Sequence, residues 1–184
     1  MRLALFLLLA LCVPGAAAQA QLEPANGVLL VAKPGLVDPN FKETVVLVTQ
    51  TADGSTVGVI LNRPGARKHD KTGDPVAFGG PVMREVLLAL FRAERAPEHA
   101  AFHVLKGVYL TMHPQNIDLL LEQRAASYRL FAGFSGWGPG QLDGELARDG
   151  WFVVPASAEL LFRTDTRSMW EELVRKARGR VARR

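Results

Sequence analysis

The sequence predicts a single α+β domain, on three observations. Short apolar runs rich in β-branched residues recur along the chain, amphipathic stretches with helical spacing stand between some of them, and strand-like runs tend to follow one another in pairs. Regular strand–helix alternation, which a doubly wound parallel sheet requires, is missing. With 184 residues, 48% of them apolar and 22% charged, the composition is that of a globular protein with one sizeable core. Disordered, collagen-like and disulfide-stapled classes are excluded by the plentiful hydrophobics, the irregular glycine spacing and the single cysteine.

Taken in order, GVLLVA at 27–32 reads as a buried strand ended by Lys33-Pro34-Gly35. The apolar runs at 44–49 and 57–62 flank Ala52-Asp53-Gly54-Ser55, which is turn chemistry, and together predict a hairpin. Residues 63–74 are charged and carry Pro64, Gly65 and Gly73, as an exposed loop does, ahead of Val76-Ala77-Phe78. After Gly79-Gly80-Pro81, the recurrence of Val82, Val86, Leu87, Leu90 and Phe91 predicts an amphipathic helix over 82–93. Strand character returns at 102–111. Pro114 suits a first helical position, with Ile117, Leu120 and Leu121 on one face. A strand at 128–134 runs into a Gly- and Pro-rich turn at 135–140, then a short helix at 141–147. Residues 151–154 form the last strand, and Ser157 caps a short helix holding Leu160, Leu161 and Phe162. The final helix starts either at Ser168, which has capping-box spacing to Glu171, or at 164–166.

The N-terminus has the three-part layout of a secretory signal peptide: Arg2, an apolar run over 3–13, Pro14-Gly15, and small residues that permit cleavage after Ala18 or Ala20. The run is too short to span a bilayer. The expectation is therefore a leader at 1–20, a domain at 21–174, a basic tail at 175–184, and export to the periplasm or beyond. A lipoprotein reading at Cys12 is weakened by Leu11, where a small residue belongs. Cleavage removes Cys12 and leaves no thiol, which excludes cysteine nucleophiles, disulfides and thiolate metal sites. The pI of 9.6 arises from six cations without an acid in the last ten residues; the body between leader and tail carries 15 basic against 18 acidic residues. That tail can touch anionic surfaces, yet a solvated helix end is the simpler account and nucleic acid is a poor partner.

Chemistry-bearing motifs are incomplete. Gly133-Phe134-Ser135-Gly136-Trp137 resembles a nucleophile elbow, but Trp137 stands where the second glycine belongs, and no histidine is marked as the base. His99 and His103 are four apart but follow Pro97 and lack a zincin glutamate, so no metal is assigned. The loops at 79–81 and 136–140 place backbone amides ahead of expected helices, where an anion can be cradled, although neither matches a nucleotide-binding fingerprint. Asn62-Arg63-Pro64 ends a strand and can present an arginine fork to a carboxylate or phosphate. Nothing calls for a cofactor.

The stretches GVLLVAKPGLVDPNFKETVVLV from Gly27, VGVILNRP from Val57, FGGPV from Phe78, LKGVYL from Leu105, FAGFSGWGPGQLDGEL from Phe131 and GWFVVPASAELLF from Gly150 resemble the YqgE/AlgH family. The resemblance covers nearly all of the chain after the leader. It implies an α+β domain whose mixed, bifurcated sheet folds into a pseudo-barrel with flanking helices. It implies no established enzymatic activity, and a label of transcriptional regulator that an exported copy cannot fulfil directly. The family motif falls on Pro34, Asp38, Pro39, Asn62, Arg63, Pro64, Gly79, Gly80, Pro81, Gly136, Trp137, Gly138, Pro139, Gly140 and Gln141, with Ser135 beside it. The expected function is a non-enzymatic exported binding or regulatory module that uses these loops to hold a small anionic ligand or a protein partner. The alternatives are a hydrolase or metal enzyme using Ser135 or His99 and His103, and a cytosolic regulator.

Overall fold

In the computed structural model, which describes residues 27–51, 53–123 and 127–181, the β-branched runs form strands Val28–Ala32 (β1), Val45–Gln50 (β2) and Thr56–Ile60 (β3), successive antiparallel neighbours. The leader, Cys12 and the cleavage positions lie outside the described residues. Short strands Arg67–Lys68 (β4) and Pro75–Phe78 (β5) pair with each other across the charged loop. Then come Val82–Arg92 (β6), Phe102–Leu105 (β7), Val108–Thr111 (β8), the helix Pro114–Glu122 (α1) and the long strand Tyr128–Trp137 (β9). Gln141–Ala147 (α2), Trp151–Pro155 (β10), Ala158–Leu161 (α3) and Met169–Val181 (α4) complete the chain.

These strands make one sheet of ten, with the path β10-β1-β2-β3-β9-β6-β8-β7 and β4-β5 branching from it. Strand β9 is the fork. One of its edges carries β6, while the other carries β5 in parallel along residues 130–132 and β3 antiparallel along residues 135–137. The sheet is thus bifurcated and mixed; it curls around a core without closing.

Pleating divides the apolar side chains between two faces. On the inner face Leu29, Val31, Leu47, Val59, Leu88, Leu90 and Phe131 pack under Leu161 of α3 and Met169 and Leu173 of α4. On the outer face there are two clusters. Leu30, Val46, Ile60, Trp137 and Trp151 lie under Leu142 and Leu146 of α2. Ala89, Phe91 and Leu130 lie under Ile117, Leu120 and Leu121 of α1.

Three expectations need correction. The helix expected over 82–93 is instead a strand, β6, over Val82–Arg92. Leu88 and Leu90 face the inner core while Ala89 and Phe91 face the outer one. The stretch 86–91, Val-Leu-Leu-Ala-Leu-Phe, is packed on both sides and so apolar without a break, and such a run also satisfies helical spacing. Second, residues 135–137 are not a turn: Ser135, Gly136 and Trp137 continue β9 opposite Gly58, Val57 and Thr56. Third, the single strand expected at 102–111 is a hairpin turned at Lys106-Gly107, with Gly107 at φ +70°. The hairpin β2-β3, the helices α1 and α2, and the Ser157 cap, whose Oγ accepts from the Leu160 amide at 3.3 Å, lie where the sequence predicts them. Ser168 stands just before α4, but its hydroxyl donates to Glu172 beside the Arg163–Glu172 ion pair, and α4 continues through the first part of the basic tail with Ala177 buried.

Candidate functional site

The family-motif residues fall into three connected groups, most of whose polar atoms are turned inward. At the mouth of the β2-β3 hairpin, the Asn62 Oδ1 accepts from the Val45 amide at 2.8 Å and its Nδ2 donates to the Glu43 carbonyl at 2.9 Å. Arg63 donates to the Pro39 and Lys42 carbonyls at 3.3 and 3.2 Å, and the Asp38 carboxylate accepts the Asn40 amide at 2.7 Å. Asn62 and Arg63 are therefore clamps on the 38–43 loop, with Arg63 holding it through Nη2 alone.

The second group is Gly79, Gly80 and Ser135, buried where β9 passes from β5 to β3. The Gly79 amide donates to the Ala132 carbonyl and its own carbonyl accepts the Ile60 amide at 2.8 Å. A Cβ on Gly79 would lie 2.1 Å from the Gly133 carbonyl oxygen, and one on Gly80 would lie 2.2 Å from the Phe134 carbonyl. These glycines permit a close backbone crossing. They do not cradle an anion, because half-buried Pro81 leads into strand β6 and no helix N-terminus offers its amides there. Ser135 is fully buried and its hydroxyl donates to the Gly79 carbonyl at 3.4 Å, so it is not presented as a nucleophile.

The third group runs from Gly136 to Gln141. Gly136, Gly138 and Gly140 are exposed, the Gly138 amide donates to the Gln141 Oε1 at 3.1 Å, and Gly140 turns the chain into α2 at φ +74°. Trp137 is buried. Its indole N–H and that of Trp151 both donate to the Glu145 Oε2, at 3.2 and 3.0 Å, and Phe41 packs against both rings at 5.7 Å. Phe41 thereby links this group to the 38–43 loop. The two expected histidines are apart in contact terms: His99 stacks on His113 with centroids 4.6 Å apart, and His103 packs on Tyr109. Among the described residues no three His, Cys, Asp or Glu side chains gather as a metal site.

The site with unspent chemistry lies elsewhere, around a residue the motifs do not include. Arg129, near the start of β9, extends over the Phe131 ring at 5.1 Å and donates to the Leu161 and Leu61 carbonyls at 2.9 and 2.8 Å. It takes part in none of the salt bridges among the described residues, which are Lys33–Asp149, Lys42–Glu43, Arg163–Glu172 and Arg167–Asp165. Burial pulls its pKa down to about 10, which leaves it a cation at neutral pH in a poorly hydrated place. It lines a cavity of about 520 Å³ between the β4-β5 arm and the 162–166 segment, together with Tyr128, Asp74, Pro64, Phe162 and Thr166. The Tyr128 hydroxyl donates to the Asp74 carboxylate at 2.6 Å. Arg163, on the same wall, is committed to both oxygens of Glu172 at 2.8 and 2.9 Å. Pattern reading missed the site because its walls come from four distant segments. One signal was present: Arg129 is the one charge in an otherwise uncharged strand.

Comparison with known proteins agrees with the fold. A chain from Thermobifida fusca described as a UPF0301 protein is 34% identical over 176 residues, covering 85% of this chain and 89% of that one. A UPF0301 protein of Chlorobaculum tepidum is 31% identical over 163 residues, with 83% and 87% covered. The solution structure of the AlgH protein from Pseudomonas aeruginosa superposes with a TM-score of 0.68 at 21% identity, covering 85% of this chain and 88% of that one. A crystal structure from Corynebacterium diphtheriae gives 0.65 at 24% identity, with 84% and 87% covered. Residues 29–182 match the model of the family described as AlgH-like, and with relatives at this identity over most of both chains, the protein belongs to the AlgH-like (DUF179) family.

Proposed function

We propose that this protein is an exported binding module that takes a small organic monoanion, of carboxylate type, in the Arg129 cavity. The observation that carries the reading is a half-buried guanidinium that makes none of the salt bridges among the described residues and lines a cavity of ligand size. A guanidinium has five donors, and the two carbonyl bonds leave others to a planar acceptor. The Asp74 carboxylate in the same wall opposes a dianion, which favours a carboxylate over a phosphate. Phe162, Leu130 and Pro64 offer an apolar wall to the rest of the ligand. The leader-like layout of residues 1–20 supports export.

Thermal melts with a panel of aliphatic and aromatic monocarboxylates, inorganic phosphate and sugar phosphates test the ligand class. A carboxylate at 100 times its Kd is expected to add about 2.7 kcal/mol, which raises the midpoint by roughly 5 to 10 °C. Because Arg129 also holds two carbonyls, Arg129→Lys is paired with Thr164→Glu, which sets a negative charge on the exposed rim without touching those bonds. Both variants are expected to abolish the shift; a shift that survives Thr164→Glu would place the ligand elsewhere. N-terminal sequencing of the protein from its native envelope fraction is expected to begin at Gln19 or Gln21, and an intact Met1 would end the export reading.

A further inference from the structure

Strand β10 ends the path of the sheet, and among the described residues no strand pairs with its outer edge. The Lys33 amide donates to the Gly150 carbonyl and the Ala156 amide to the Gly27 carbonyl, which sets the phase of the ladder with β1. In that phase the backbone groups of Phe152 and Val154 point to β1, whereas those of Trp151 and Val153 and the Pro155 carbonyl point outward. The strand, Trp-Phe-Val-Val-Pro, carries no charge, and Val153 is 57% exposed. Edges of this kind are ordinarily blunted by charged side chains or covered. The other end of the path is protected differently: β7 lies close to β2, and Gly27 sits against Leu105 and the Val104 carbonyl.

Alongside the open edge runs a groove of about 570 Å³ between β10 and α4. Leu160, Leu173 and Ala177 form its apolar side, and Lys176 and Arg180, one turn apart on α4, are its only charged lining residues. A free strand edge beside a helix is the geometry in which an extended peptide adds as a further strand. We propose that this groove binds an extended, acidic segment of a partner protein, which pairs with Trp151 and Val153 and sets its carboxylates on Lys176 and Arg180. The same two cations disfavour a second copy of this chain. Antiparallel pairing of β10 with itself about Val153 keeps both α4 helices on one face of the joined sheet, so four like charges would share one seam without an acid.

The test is selection of a phage-displayed library of random eight-residue peptides on the full-length chain, followed by fluorescence polarisation with the selected peptides made synthetically. The expected result is enrichment in Asp and Glu and affinity at least tenfold weaker for Val153→Pro, which removes one outward amide and spares the β1 ladder. Similar weakening is expected for Lys176→Glu with Arg180→Glu, and amide hydrogen exchange at Trp151 and Val153 should slow at least tenfold in the complex. Should Val153→Pro fail to fold, the double charge reversal on the exposed face of α4 and the exchange data decide. No enrichment over an unrelated control protein, or selected peptides indifferent to the charge reversal, would overturn the proposal. So would a concentration-dependent dimer of the wild type that Val153→Pro abolishes, since that assigns the edge to a second copy.

Discussion

Glu145 serves two buried indoles with one carboxylate oxygen, and it is the single acceptor for the N–H groups of Trp137 and Trp151. Removing it leaves two donors without a partner in an apolar cluster, a larger cost than the loss of an ordinary surface contact. Glu145→Ala is expected to destabilise by about 2 kcal/mol, roughly 4 to 8 °C in the melting midpoint, with Glu145→Gln milder because an acceptor oxygen remains; thermal melts followed by tryptophan fluorescence read the difference. Glycines in the same motif differ sharply from one another. A methyl group on Gly79 meets backbone at 2.1 Å, whereas one on Gly138 meets nothing within 4 Å. Gly79→Ala is expected to lose the cooperative unfolding transition, and Gly138→Ala to stay within about 0.5 kcal/mol of the wild type. Equal effects of the two would show that Gly79 is not a crossing point. The spacing of the motif shows that these glycines belong together, but only packing distinguishes a crossing glycine from a loop glycine.

At the scale of elements, α4 is tied to the loop before it by the Arg163–Glu172 ion pair, with Ser168 donating to the same carboxylate. The Arg163 guanidinium, and then the Ser168 hydroxyl, hold the Glu172 pKa down to about 2 from its ordinary 4.5. A depressed folded-state pKa contributes stability that is full above the ordinary value and is lost as pH falls between about 4.5 and 2. Glu172→Gln is therefore expected to lower the midpoint at pH 7 and to converge with the wild type by about pH 2; parallel curves down to that pH would show that the pair contributes nothing. The pair is half-exposed, so high salt should narrow the gap. Strand β6 carries the clearest lesson about legibility. Its residues 86–91 fit a helical repeat because a segment clamped between two cores needs apolar residues in unbroken succession. The hairpin β2-β3 was legible since its turn chemistry is local, and α1 since only one of its faces is buried.

Over the whole molecule, the fork at β9 gives the sheet its two branches and places the Arg129 cavity in the gap between the β4-β5 arm and the loop before α4. The open end at β10 places a second groove beside α4, far along the strand path from β9. Both sites depend on segments remote in sequence: the first joins residues near 64, 75, 129 and 164, and the second joins a strand to a helix some twenty residues later. The motif residues, by contrast, mostly support the scaffold that holds these openings apart. Asn62 and Arg63 clamp a loop, Gly79 and Gly80 allow the crossing, and Trp137 anchors α2. The fold class, the family, most of the strands and the helices α1 to α4 were legible in the sequence, because turn residues, glycine and proline placement and one-sided periodicity act over a few neighbours. Tertiary structure alone decided that residues 82–92 are a strand, that Ser135 is interior, and that Arg129 lines a cavity built from distant segments. Burial on two faces and the meeting of distant segments are properties of the packed chain, and no short window of residues contains them.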